Sequence, residues 1–174
     1  GGRTAAKHLI ELHHKKIGYI AGWEGASTQV EREEGFNSMI LEQDLIVTHR
    51  EVGNFEIDEA KEATKKMFRT FDHPTAVFVA SDHMAFAVMD VLRSDIGLRI
   101  PQDVSVIGFD DVSLASYSAY NLTTIRQPIT QMVDSTVDIL LNQIEHPTLA
   151  GNNVIKIDPV LVKRGTCTIN KEKE

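Results

Sequence analysis

The chain has 174 residues, 42% hydrophobic and 25% charged, which is ordinary globular usage and excludes a disordered tail, a collagen-like repeat and a coiled coil. With 18 Lys and Arg against 25 Asp and Glu the net charge is −7, so the chain is not expected to grip the phosphate backbone of DNA or RNA alone. The single cysteine, Cys167, excludes an internal disulfide and fits a reducing compartment.

In chain order, Ala6, Leu9 and Ile10 fall at helical spacing and predict a helix over residues 3–12. Ile17–Ala21 is a short apolar run and reads as a buried strand. Thr28 and Glu31 have the spacing of a capping box, and Met39 and Ile40 behind them extend a helix to about residue 43. A second strand is expected over 46–53, and Ile57, Ala60, Thr64, Met67 and Phe68 mark an amphipathic helix. Residues 75–80 are apolar without alternation, as suits a strand covered on both faces. A helix over 83–94, a strand over 104–108 and a helix over 130–144 follow. Residues 154–163 are β-rich, with Pro159 pointing to an edge or a bend, and the tail 171–174 is expected to fray. No apolar run is long enough to span a bilayer, and the N-terminus does not read as a signal peptide. The chain opens Gly1-Gly2-Arg3 without an initiator Met, which predicts that it was cut from something longer.

Strand and helix alternate four times with short connections, which predicts an α/β fold: a mostly parallel sheet with helices on both faces. Ligands of such sheets bind outside the carboxyl ends of the strands. The residues expected on that rim are Gly22 to Thr28 with Arg32, then Gly53, Asn54 and Phe55, then Ser81 and Asp82, then Gly108, Phe109, Asp110 and Asp111. A guanidinium fork, carboxylates, hydroxyls and an aromatic face suit a small polyhydroxylated or heterocyclic ligand. Each residue also has a plainer role. Asp110 and Asp111 suit capping of the next turn, Asp82 suits a helix cap better than a ligand contact, Phe55 suits the core, and Arg32 suits a surface pair with Glu33 or Glu34.

Enzyme signatures are absent. There is no phosphate-cradling G-x-x-x-x-G-K-[ST], no G-x-G-x-x-G and no G-x-S-x-G elbow. None of the seven histidines forms H-E-x-x-H, so neither a metal nor a cofactor is expected, and no catalytic residue is assigned. His13 and His14 are expected in solvent after a helix end, and Cys167 near the frayed end and inert.

The chain resembles the LacI–GalR family of bacterial transcription regulators over residues 2–168. The likeness rests on Gly2-Arg3-x-Ala5-Ala6-x-His8-Leu9, Lys16-Ile17-Gly18-Tyr19-Ile20-Ala21-Gly22, Arg32-x-x-Gly35-Phe36 and Pro74-Thr75-Ala76-Val77-Phe78. It continues through Asp82-x-Met84-Ala85, Pro101-x-Asp103-Val104-Ser105-Val106-Ile107-Gly108-Phe109-Asp110-Asp111, Leu122-Thr123-Thr124-Ile125-x-Gln127-Pro128 and Leu161-Val162-x-Arg164. The resemblance implies the C-terminal lobe of a periplasmic-binding-protein-like (type I) core plus remnants of the N-terminal lobe. Residues 1–16 would be the last helix of that first lobe, 17–123 and 154–165 the effector-binding lobe, 124–153 a crossover segment, and 166–174 a tail. The helix-turn-helix is not in this chain.

The resemblance also implies an effector site. Arg32 matches the gripping Arg, Asp110 the carboxylate that takes sugar hydroxyls or a ligand amine, Phe55 the stacking aromatic, and Thr28 a hydroxyl contact. Ser81 stands where many sugar-responsive members carry Asn, and His13 where the family has Gly, which predicts local strain. The implied protein is cytoplasmic, not an enzyme and not membrane-bound. Its effector would be a sugar or sugar phosphate before a purine or a protein co-repressor, its partner a second copy in a homodimer, and its operator DNA reached only through the missing N-terminal domain. Helices 3–12 and 130–144 would lose their native sheet and need other cover. The alternatives are an exported solute-binding protein and an α/β enzyme using Asp110 or Asp111 as base.

Overall fold

Five apolar or threonine-rich segments pair in parallel and a sixth closes the edge antiparallel. They are β1 (Ile17–Ala21), β2 (Val47–Val52), β3 (Ala76–Val79), β4 (Ser105–Asp110), β5 (Thr123–Arg126) and β6 (Val160–Val162), in the spatial order β2-β1-β3-β4-β5-β6. This computed structural model describes residues 1–146 and 154–171. Part of the expected crossover, 147–153, and the last three residues of the expected frayed tail lie outside the described residues.

Helices α1 (Gly2–Glu11) and α2 (Ser27–Leu41) cover one face, and α3 (Ile57–Met67) and α4 (Asp82–Asp90) cover the other. Every residue of β1 and β3 is buried, as a parallel sheet covered on both sides requires. Under α2 the rings of Tyr19, Phe36 and Phe78 gather with centroids 4.9 to 5.4 Å apart, each pair worth about 1 kcal/mol beyond its buried area. Burial pushes the Tyr19 hydroxyl up to about 12. It therefore stays protonated and donates to Gln29 Oε1 at 3.1 Å.

The structure departs from expectation in several places. Strand β5 has two consecutive threonines and reads as polar, yet Thr123, Thr124 and Ile125 are buried and pair with β4 and β6. The sheet thus runs through Arg126 before the chain enters α5 (Ile129–Glu145). Of the β-rich stretch 154–163 only three residues form β6, and Pro159 precedes them at the sheet edge. The capping box does not form: α2 starts at Ser27, so Thr28 is already inside the first turn, and Ala26 at the cap brings no side-chain hydrogen bond. Helix α4 starts at Asp82 and passes into a π-helical turn, Val91–Ile96, closed by Gly97 at φ 80°.

Helix α1 is built into this lobe, with Ala5, Ala6, His8 and Leu9 buried against α2, β3 and β5. It needs no cover from outside. Helix α5 is the opposite case: none of its residues is buried, and Ile129, Val133, Leu140, Leu141 and Ile144 are 52% to 72% exposed.

His14 is buried, correcting its expected place in solvent. Its Nδ1 lies 2.9 Å from Thr75 Oγ1, and its Nε2 lies 3.1 Å from both Ser105 Oγ and the Thr168 carbonyl. Cys167 is packed rather than frayed, 3.2 Å from the Val106 carbonyl oxygen, and burial pushes its thiol up to about 12. His13 takes the strained position expected of it, at φ 62°. The His13 amide donates to Ile10 and the His14 amide to Leu9, the paired bonds of a Schellman helix stop. A left-handed conformation costs an L-residue about 1 to 2 kcal/mol, a cost glycine escapes. The His13→Gly variant is therefore expected to be more stable by about 1 kcal/mol, with Tm up by about 3 °C in a thermal melt.

Candidate functional site

Because the strands are parallel and in register, their carboxyl ends deliver four loops to one rim. The loops follow Ala21, Val52, Val79 and Asp110. Among the described residues, four of the seven non-glycine residues with positive φ lie there: Asn54 (52°), Phe55 (63°), Asp110 (117°) and Asp111 (57°). Strained backbone of this kind clusters at functional sites, where the surrounding structure enforces it.

Arg32 and Asp110 come together. Arg32 points inward from α2, while Glu33 beside it pairs with Arg50 at 2.5 Å instead. The Arg32 guanidinium lies flat on Phe109, 3.7 Å from the ring centroid, a cation–π contact that favours the charged fork. Its Nη1 donates to the Ala80 carbonyl, and its buried Nε has no hydrogen-bond partner among the described residues. Burial lowers its pKa, and the nearby negative charge of Asp110 opposes that shift. Asp110 accepts from Gln127 Nε2 at 2.6 Å. Burial raises its pKa, against the pull of Gln127, Arg32 and His83.

The other three expected contacts come from the β2–α3 loop, the start of α4 and the first turn of α2. Phe55 is 36% exposed, with its ring against Gly22, where there is no room for a Cβ. Ser81 is buried and its Oγ accepts from the Met84 amide at 3.4 Å, so its O–H remains able to donate. Thr28 is exposed on the first turn of α2.

Asp82 and Asp111 have different work from that expected. The helix cap is Ser81, not Asp82. Asp82 is 0% exposed and lies beneath the rim. Its Oδ1 accepts from Thr124 Oγ1 at 2.6 Å and its Oδ2 from the Val112 amide at 2.9 Å. Only glycine fits at position 108, because a Cβ there collides with this carboxylate. Burial pushes Asp82 up to about 6, the two hydrogen bonds oppose it, and the charges of Asp110 and Asp111 add to it. Asp111 is a strut, bonded to Arg126 at 2.5 Å and Arg164 at 2.6 Å. Burial alone pushes its carboxyl up, but these hydrogen bonds and charges outweigh that and hold it below the usual range.

Gln29 and Arg50 also shape the rim, and neither is singled out in the sequence reading. Gln29 is buried, and its Oε1 accepts from the Gly22 amide at 2.9 Å. Arg50 bridges Glu33 on α2 to Glu24 at 2.7 Å in the β1–α2 loop. A polar residue at a core-facing helical position was the available signal for Gln29. Among the described residues no cluster of three or more His, Cys, Asp or Glu side chains is placed to hold a metal ion, and no helix is long and apolar enough to cross a membrane.

A parallel sheet with a polar rim of this kind defines a ligand-binding lobe. The sequence profile of the periplasmic binding protein-like domain matches residues 6–167, and the chain belongs to that family. Within it the chain is similar to the HTH-type transcriptional repressor PurR of Vibrio vulnificus (strain CMCP6), 40% identical over 172 residues, which cover 95% of this chain and 50% of that protein. The chain spans about half the length of the curated relatives it matches. Among solved structures, a dimeric Lac repressor with a C-terminal deletion superposes with a TM-score of 0.89 at 29% identity, covering 98% of this chain and 62% of that one. The complex of the transcriptional regulator CelR with cellobiose superposes with a TM-score of 0.87 at 31% identity, covering 95% of this chain and 51% of that one.

The Asp82 carboxyl makes a prediction about stability. An acid whose folded pKa stands near 6 against an unfolded value of 3.8 keeps its proton longer when folded. Its stabilising contribution is present below pH 3.8 and is lost as the pH rises through about 6, a change of at most about 3 kcal/mol. Urea unfolding of the wild type and of Asp82→Asn at pH 4, 5, 6 and 7 reads it directly. The stability of wild type relative to the variant is expected to fall across that window, and a constant difference refutes the assignment.

Proposed function

We propose that this chain is the effector-binding lobe of a cytoplasmic LacI-type transcription regulator, with a sugar or sugar phosphate as effector. The observation that carries the reading is the pairing of Arg32, flat on Phe109 with an unused Nε, with Asp110 on one strained rim. A guanidinium edge donates to ring and exocyclic oxygens, and a carboxylate accepts from adjacent hydroxyls. Phe55 offers its exposed face to the apolar side of a ring, Ser81 an O–H donor, and Thr28 a solvent-facing hydroxyl. The Asp110 and Asp111 carboxylates are engaged by Gln127, Arg126 and Arg164 rather than set beside a hydroxyl as a base would be. That favours sensing over catalysis.

In such a regulator the second lobe closes over the rim. Effector binding then biases two arrangements of a homodimer and so changes operator affinity through a separate DNA-reading module. The exposed face of α5 is the part of this chain that calls for cover by another element or copy. A solute carrier of the same fold is the second reading, and the regulator-like strings around Asp110 and Thr123 speak against it.

In the full-length protein, Arg32→Ala is expected to abolish the effector response while leaving operator binding intact, measured by band shift with and without effector. A surviving response refutes the role of Arg32. The isolated 174-residue chain supplies one wall of the cleft, whereas pockets normally bury most of a ligand. Calorimetry is expected to show no micromolar binding to it, and a micromolar dissociation constant would contradict the half-site reading.

A further inference from the structure

Trp23 is the sole tryptophan of the chain, and it is 59% exposed. It stands two residues past the end of β1, on the loop that carries Gly22 at the rim. A single exposed apolar side chain is ordinary, but a large ring on a rim loop that is held in place offers a surface for stacking. This loop is anchored at every step. The Gly22 amide donates to the buried Gln29 at 2.9 Å, the Ala26 amide donates to the Trp23 carbonyl at 3.1 Å, and Glu24 is held by Arg50 at 2.7 Å. Arg50 is itself fixed to Glu33 on α2.

Two glycines shape the same loop around two rings. Position 22 has no room for a Cβ because Phe55 lies there, and position 25 has none because the Trp23 indole lies there. The Phe55 ring, from the loop after β2, lies on Gly22, and the Trp23 indole lies on Gly25, so two aromatic rings flank the β1–α2 loop where the ends of β1 and β2 pair at Ala21 and Val52. Trp23 directly follows Gly22, the residue on which the Phe55 ring lies, so both rings belong to the same stretch of the rim.

We infer that Trp23 is a specificity-determining residue that stacks on a second ring of the effector, so the site selects a disaccharide or an aryl glycoside over a single-ring sugar. The inference deepens the proposed function and rests on it. Sugar rings present an apolar face of C–H groups to aromatic side chains, and a rigid indole loses little entropy when it is covered. The cellobiose in the related CelR structure is a ligand of this two-ring class.

The test uses the full-length protein and a panel of cellobiose, lactose and o-nitrophenyl galactoside against glucose, galactose and ribose. Affinities are measured by calorimetry for wild type, Trp23→Ala, Trp23→Phe and Asp110→Asn, and indole emission is read on the wild type and on Trp23→Phe. The expected result is that two-ring ligands bind more tightly and change an indole emission that Trp23→Phe lacks. Trp23→Ala is expected to cut the two-ring preference about three- to tenfold, and Trp23→Phe to keep most of it. A surface position this exposed tolerates both changes without unfolding. If sugars bind in an Asp110-dependent way but Trp23→Ala leaves the preference unchanged, or single rings bind best, this inference falls and the proposed function stands. An emission that follows protein concentration instead of ligand assigns Trp23 to a contact between copies, which also overturns it. If no sugar on the panel binds, this inference falls, and the proposed function falls with it if glucose 6-phosphate and ribose 5-phosphate fail to bind as well.

Discussion

The rim depends on a buried carboxylate that has no cation. Asp82 joins α4, the turn after β4 and β5 through one side chain, taking the Val112 amide and the Thr124 hydroxyl. Taking a charge out of water without a counter-ion is expensive, and it lasts only where several donors converge on it. Here the donors are neutral, and the like charges of Asp110 and Asp111 add to the cost. The return is geometric. The Val112 bond fixes the exit of the left-handed Asp110–Asp111 turn, and Asp111 then braces that turn against Arg126 and Arg164. With both ends held, Asp110 presents its carboxylate beside Arg32 without being able to swing away.

Much of the fold was legible because a covered parallel sheet leaves a clear mark. The runs at β1 and β3 are apolar on both faces, and the helices between them carry a 3.6-residue stripe. Strand β5 was hidden because its polarity is spent on particular partners. Thr124 donates to Asp82, and the Thr123 hydroxyl accepts from the Arg164 amide. A hydropathy pattern counts such threonines as polar, although they are fully buried. The same blindness misplaced His14, whose imidazole ties β3, β4 and the C-terminal segment together. The site was legible at the level of which loops form the rim, since strand ends dictate that. Which residues act there was less so. Ser81 and Asp82 exchange the roles their types suggest, because the first sits one residue before the helix and the second faces the core. Gln29 and Arg50 were missed because they act on the loop through packing that no spacing encodes.

The two outer helices also divide along physical lines. Helix α1 crosses α2 and buries its apolar stripe within the chain. Helix α5 begins three residues after the last residue of β5 and buries none. Its stripe of Met132, Val133, Val137, Leu140 and Leu141 is that of a helix made for a core, larger than the scattered apolar side chains an ordinary surface carries. Gln127 links the two regions. It holds Asp110 from the segment that leads into α5.

Asp110 and Arg32 are close enough to shift each other's titration, yet they form no ion pair among the described residues. The reason is that each is drawn elsewhere. Arg32 is drawn to Ala80 and to the face of Phe109, and Asp110 to Gln127. A direct bond between them would satisfy both groups and remove both from use. A ligand would then have to break a partly buried pair, and leaving either charge unpaired there costs several kcal/mol. Held apart, the two groups keep unspent capacity: the remaining N–H groups of the guanidinium and the remaining acceptor sites of the carboxylate. Their desolvation is already met by folding, and neither is locked to the other. The rim thus keeps two unlike charges near each other without joining them, and the positive φ of Asp110 and Asp111 belongs to the turn that sets where the Asp110 carboxylate stands.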